Sequence, residues 1–151
     1  MNIEKKGLKL KFCALALAAL ISTPAMGAGV LYECDLNSKR ANGWVSQKMA
    51  FVFEDSGAVK VIDSVLLNFE IGPMNARART SGDVSRLTWN IAGATDSVGQ
   101  RVPTFSYTAK LNLKTLGLSV LAKPVGYPQR FTGKGSCVKR NNAKGFPKSL
   151  R

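Results

Sequence analysis

Phe105, Tyr107, Ala109, Leu111 and Leu113 alternate along the chain with Ser106, Thr108, Lys110, Asn112 and Lys114. That two-residue rhythm is the period of a strand with one face in a core and the other in water. Val45, Gln47, Met49, Phe51 and Phe53 oppose Ser46, Lys48 and Glu54 in the same way, and Leu87, Trp89 and Ile91 alternate with Arg86, Thr88 and Asn90. Further strands are predicted at 30–36, at 59–71 with a break near Asp63 and Ser64, and at 75–80, 118–123 and 129–137, about eight in all. Asp55-Ser56-Gly57, Gly72-Pro73, Ser81-Gly82-Asp83 and the stretch from Lys114 to Gly117 separate them, with glycines that tolerate the positive backbone angles of tight reversals.

Downstream of residue 27 no window repeats apolar positions at helical spacing, so the crossover helices of a parallel sheet are missing. The pattern therefore predicts an all-β fold, an antiparallel meander of about eight strands that closes, or nearly closes, into a barrel and so removes its exposed edges. A two-sheet sandwich is the alternative. The stretch 93–101 reads as a loop. Residues 139–151, with Lys139, Arg140, Lys144, Lys148 and Arg151 and no acid, read as a basic, poorly ordered tail after a domain at 28–138.

The first residues have a different organisation. Lys5, Lys6, Lys9 and Lys11 precede an apolar run from Phe12 to Ile21, which ends at Ser22, Thr23 and Pro24. A positive end followed by a short apolar core is the order of an export signal. A run of about ten residues is half of what a membrane-spanning helix needs. Ala25 and Gly27 supply the small side chains a signal peptidase accepts, placing cleavage after residue 27 and the protein in the periplasm or outside the cell, without a transmembrane anchor. Cys13 lies inside the apolar run and is expected to leave with it.

Charge and cysteines add to this picture. The chain carries a formal net charge of +13, and removing four lysines and one glutamate with the leader leaves +10. Cys34 and Cys137 remain, and an oxidising compartment favours a disulfide between them over two separately buried thiols. In the chain-entropy model, closing a loop of about 100 residues stabilises a fold by at most about 4 to 5 kcal/mol.

The chain has no histidine, which excludes Ser-His-Asp and Cys-His catalysis and Cys-His zinc sites. Glu33 and Asp35 share a strand face at about 7 Å, a spacing compatible with a glycosidase pair, but that face is opposite Tyr32 and Cys34 and points to water. The string Thr132-Gly133-Lys134-Gly135-Ser136 departs from a phosphate-binding loop because Pro128 holds the earlier glycine position and Gly135 follows the lysine. It reads instead as a last strand whose glycines allow close backbone approach. No catalytic residue, metal or cofactor is expected.

What remains is a basic surface. Lys48, Arg77, Arg79, Arg86, Lys110, Lys114 and Lys123 fall on the outward phase, and Lys139 and Arg140 follow in the tail. Positive charge on this scale attracts anionic lipid, lipopolysaccharide or another envelope polyanion. Nucleic acid is disfavoured because Phe105, Tyr107 and Trp89 share the inward phase and leave no stacking platform outside. Trp44 and Tyr127, near strand or loop ends, read as rim packing.

The start Tyr32-Glu33-Cys34 behind a leader, followed by short strands and a late cysteine, resembles small periplasmic β-barrel proteins of the C-type lysozyme inhibitor kind. The resemblance covers architecture and that start, and no inhibitory motif is carried over. It implies a protein-binding alternative, against which the charge of the chain opposes approach to a basic lysozyme. A small-ligand carrier, with a hollow barrel, is a further alternative. The leading expectation is a non-enzymatic exported domain that meets an anionic envelope component through Lys48, Arg77, Arg79, Arg86, Lys110, Lys114, Lys139 and Arg140.

Overall fold

In the computed structural model, which describes residues 29–38, 43–95 and 98–146, the alternating stretches form eight strands. They are β1 (Gly29–Asn37), β2 (Lys48–Glu54), β3 (Val59–Asp63), β4 (Met74–Ser81), β5 (Val84–Ile91), β6 (Phe105–Asn112), β7 (Gly117–Pro124) and β8 (Phe131–Ala143). Each pairs antiparallel with the next, and β8 returns to β1, closing a barrel without a free edge. The barrel reading holds and the sandwich does not. The expected leader at 1–27 lies outside the described residues.

The inward phase is continuous around the wall. Phe51, Leu87, Tyr107, Ala109, Leu111 and Ala122 are fully buried, and burying a side chain of the larger kind contributes about 1.5 to 3 kcal/mol. Trp89 stacks on Tyr107 with ring centroids 5.1 Å apart and meets Phe51 edge-on at 6.0 Å. Aromatic rings thus fill the centre. Most apolar side chains of the wall point in, and its lysines and arginines are exposed or half-exposed.

Cys34 stands directly opposite Cys137 across the β1–β8 seam, with the sulfurs bonded at 2.06 Å. The disulfide therefore joins the strands that close the barrel, as the sequence implies.

Three details depart from the sequence reading. The stretch expected as strand from Val45 starts only at Lys48, because Val45 and Ser46 both turn inward over one mouth of the barrel. The segment 59–71 splits at Asp63 into β3 and a five-residue helix, α1 (Ser64–Asn68). Asp63 caps α1 by accepting a hydrogen bond from the Leu66 N–H at 2.8 Å, and Val65 and Leu66 are buried. So short a helix leaves no periodic signature.

The third departure is the tail. β8 continues through Lys139 and Arg140 to Ala143, paired with β1, and Phe146 is only 8% exposed. Phe146 covers an apolar patch on the outside of the barrel formed by Leu31, Ala50, Val52 and Ile62. These four lie on the outward phase of β1–β3, so the patch needs a cover, and the chain end supplies it. The flexible-tail expectation is thus corrected for residues 139–146, and residues 147–151 lie outside the described ones.

Candidate anion-binding wall

Register brings together basic residues that are far apart in sequence. Arg79 on β4 faces Arg86 on β5, Arg86 faces Lys110 on β6, Lys110 faces Ser119 on β7, and Ser119 faces Lys134 on β8. All four basic side chains are exposed. With strands about 4.8 Å apart, the row runs about 19 Å along the wall. The next row toward the loop mouth reads Arg77, Thr88, Thr108, Leu121 and Thr132. A groove of about 410 Å³ crosses both rows, lined by Arg86, Thr108, Lys110, Ser119, Arg130 and Lys134 among others.

The distribution of acids makes this wall distinct. β4 to β8 contain Arg77, Arg79, Arg86, Lys110, Lys123, Lys134, Lys139 and Arg140 and not one Asp or Glu. β1 to β3 contain Glu33, Asp35, Glu54 and the buried Asp63. All three ion pairs among the described residues use acids of β1 or β2: Lys48 with Asp35 at 3.1 Å, Lys60 with Glu54 at 2.9 Å, and Arg140 with Glu33. The Lys60 hydrogen bond holds the Glu54 carboxyl below its ordinary range.

The residues singled out in the sequence therefore separate. Arg79, Arg86 and Lys110 meet in one row with Arg77 beside them. Lys48 and Arg140 are engaged by carboxylates on β1, which also places Glu33 and Asp35 in solvent-facing ion pairs rather than in a cleft. Lys114 lies in the turn after β6, beyond the row. Lys139 pairs in register with Tyr32, on the same phase as Cys137, and is exposed where β8 runs toward the far end of the barrel.

Sequence reasoning passed over Lys134 and Arg130. The signal for Lys134 was present: counting back from Cys137, an inward residue, puts Lys134 on the outward phase. Its neighbours Gly133 and Gly135 drew attention to a phosphate-loop comparison instead. Arg130 falls on the same outward phase of the stretch 129–137, and the structure places it just before β8.

No protein-family model matches the chain, and no curated protein or solved structure matches it significantly. The chemistry of the wall is thus read from its own residues. Guanidinium groups offer planar, paired donors that suit phosphate, sulfate and carboxylate oxygens, and ammonium groups act as mobile point charges beside them. Threonine and serine hydroxyls between the basic rows add neutral donors. Among the described residues no three His, Cys, Asp or Glu side chains gather to hold a metal ion.

The mouth of the barrel is packed rather than open. Trp44 lies flat on Phe105 at 3.8 Å, and its carbonyl accepts a hydrogen bond from the Tyr107 hydroxyl at 3.0 Å. Burial, and secondarily the charge of Asp63, push the Tyr107 hydroxyl pKa upward. Burial likewise pushes Asp63 up to about 6, against the hydrogen bonds from the Leu66 and Val65 backbone that lower it. Trp44 is rim packing, as expected, while Tyr127 stands 53% exposed.

Proposed function

We propose that the chain is a non-catalytic exported module that holds an anionic envelope component, a lipid headgroup region, lipopolysaccharide or an acidic polymer, against the β4–β8 wall. The observation that carries this reading is the cross-strand row Arg79–Arg86–Lys110–Lys134 without a single acid in those five strands. Like charges placed directly opposite each other on a sheet destabilise it. Neighbouring strands bring Arg79, Arg86 and Lys110 within the screening distance of about 8 to 10 Å in physiological salt, and Lys134 follows one strand beyond Ser119. A fold that keeps such a row without carboxylates between the charges has a surface that an external anion neutralises.

The packed interior favours the same conclusion. A carrier needs a hollow centre, and here Phe51, Trp89, Phe105 and Tyr107 occupy it, which moves the working face to the outside. The test is co-sedimentation with acidic and neutral vesicles, alongside binding to dextran sulfate, across a salt series. Binding that is selective for the anionic partners and falls with salt supports the reading. Equal binding to neutral and acidic vesicles that is indifferent to salt removes its electrostatic basis.

A further inference from the structure

The meander sends the β1–β2, β3–β4, β5–β6 and β7–β8 connections to one end of the barrel and the short turns to the other. Six large hydrophobic side chains are prominently exposed among the described residues, and four of them belong to this loop end: Ile71, Val98, Val125 and Tyr127, at 39%, 76%, 56% and 53% exposure. Val125 and Tyr127 form the tip of the β7–β8 loop, Val125-Gly126-Tyr127-Pro128. Its base is tied to the β5–β6 loop by the hydrogen bond from the Val125 N–H to the Thr104 carbonyl at 2.7 Å. The bases of the two loops whose tips carry Val98, Val125 and Tyr127 are thus held side by side.

The basic residues sit behind these tips. Lys123 near the end of β7 and Arg130 just before β8 flank the β7–β8 loop, and Arg101 closes the neighbouring loop by a bridge to Thr95. All three are exposed. Glu70 is the exposed acid among the described residues of this end. Apolar and tyrosine side chains at a projecting tip, with cations one step behind, match the layering of an anionic leaflet: acyl chains first, then the headgroup belt that tyrosine favours, then phosphate. A soluble polyanion has no use for the apolar tip. A second protein would find here tips spread over loops rather than a flat apolar face.

We infer that the loop end is a lipid-docking surface, in which Val125 and Tyr127 enter the interfacial layer of an anionic leaflet while Lys123, Arg130 and Arg101 meet its phosphates. This deepens the proposed function, rests on it for the anionic partner, and commits to lipid among the anions that the wall could accept. Docking by tips is peripheral: apolar burial and electrostatic attraction add, and neither alone gives stable anchoring.

The experiment uses the mature protein and two variants at exposed positions. Tyr127→Trp reports insertion directly. With phosphatidylglycerol vesicles its emission, relative to the wild-type background of Trp44 and Trp89, shifts to the blue and is quenched by bromine on the acyl chains. The double variant Val125→Ser/Tyr127→Ser loses about tenfold or more in affinity for those vesicles and keeps wild-type binding to dextran sulfate and wild-type thermal stability. Vesicle binding with no blue shift and no quenching, or undiminished in the serine variant, overturns docking through the tips and leaves the wall reading standing. Binding to dextran sulfate without binding to vesicles overturns the lipid assignment alone. Binding to neither anion overturns both readings.

Discussion

Gly135 on β8 lies against the backbone of Asp35 on β1, so close that a Cβ at Gly135 would collide with the Asp35 carbonyl oxygen. The contact sits two residues from the disulfide, on the seam that closes the barrel. Backbone cannot yield as a side chain can. Gly135→Ala is therefore expected to cost at least about 3 kcal/mol, the upper range for overpacking. Gly133→Ala is the control. Its Cβ would meet the Val45 side chain at 2.9 Å and those of Leu36 and Ser38 at 3.3 Å, a milder overlap with side-chain carbons, so a smaller loss of about 1 to 2 kcal/mol is expected. Urea unfolding of both variants checks the difference, and equal losses would refute the distinction between backbone and side-chain crowding.

Phe146 is expected to act as a structural cover rather than as part of a loose tail. Phe146→Ala uncovers Leu31, Val52 and Ile62 on the outside of the barrel, and the loss should be about 2 kcal/mol, in line with the burial of one large side chain. The variant should also bind a hydrophobic dye in its folded state. Unchanged stability and no dye binding would return this segment to the status of an appendage.

The barrel was legible because alternation in β2, β5 and β6 is strong and short turns join β2 to β3, β4 to β5 and β6 to β7. The disulfide was legible because its two cysteines sit on the first and last strands. The cover was not, because it depends on β1–β3 being apolar on both phases: Leu31, Val52 and Ile62 look like ordinary strand residues until the register sets them side by side. The basic wall was half legible. Alternation shows that Arg79, Arg86 and Lys110 point outward, whereas only the strand pairing shows that they face one another while Lys48 and Arg140 are taken up by Asp35 and Glu33.

If the row Arg79–Arg86–Lys110–Lys134 is retained for binding, it is retained at the expense of stability. Lys110→Gln keeps most of the aliphatic stem and removes one charge opposite Arg86. At low salt the variant should be more stable by a few tenths to about 1 kcal/mol, and the gain should vanish as salt screens the row. Binding to acidic vesicles or dextran sulfate should weaken with a shallower salt dependence. Adding Arg86→Gln should stabilise less than the sum of the two single changes, because each relieves the same repulsion. Thermal melts and binding measured over one salt series test both halves, and a variant that loses stability at low salt would contradict the repulsive row.

The buried carboxyl of Asp63 should make the fold less stable as pH rises. Its Oδ1 caps α1, while its Oδ2 is buried without a hydrogen-bond partner among the described residues. Desolvation lifts the group from 3.8 to about 6. Between these values the folded state holds the proton more tightly than the unfolded chain. Stability from this group is then fully present below about pH 4 and is lost as pH climbs through about 6, by up to about 3 kcal/mol. Glu54, held low by Lys60, adds a slope of opposite sign in more acidic solution, and Tyr107, pushed upward, does not titrate in the window. Asp63→Asn keeps a capping oxygen and removes the proton equilibrium, so its unfolding midpoint should lose the fall seen in the wild type between about pH 4 and about pH 7. At neutral pH the variant should equal or exceed the wild type, since an amide does not bear the cost of a buried charge. Parallel pH dependences for the two proteins would mean that Asp63 ionises in the barrel as readily as it does in water.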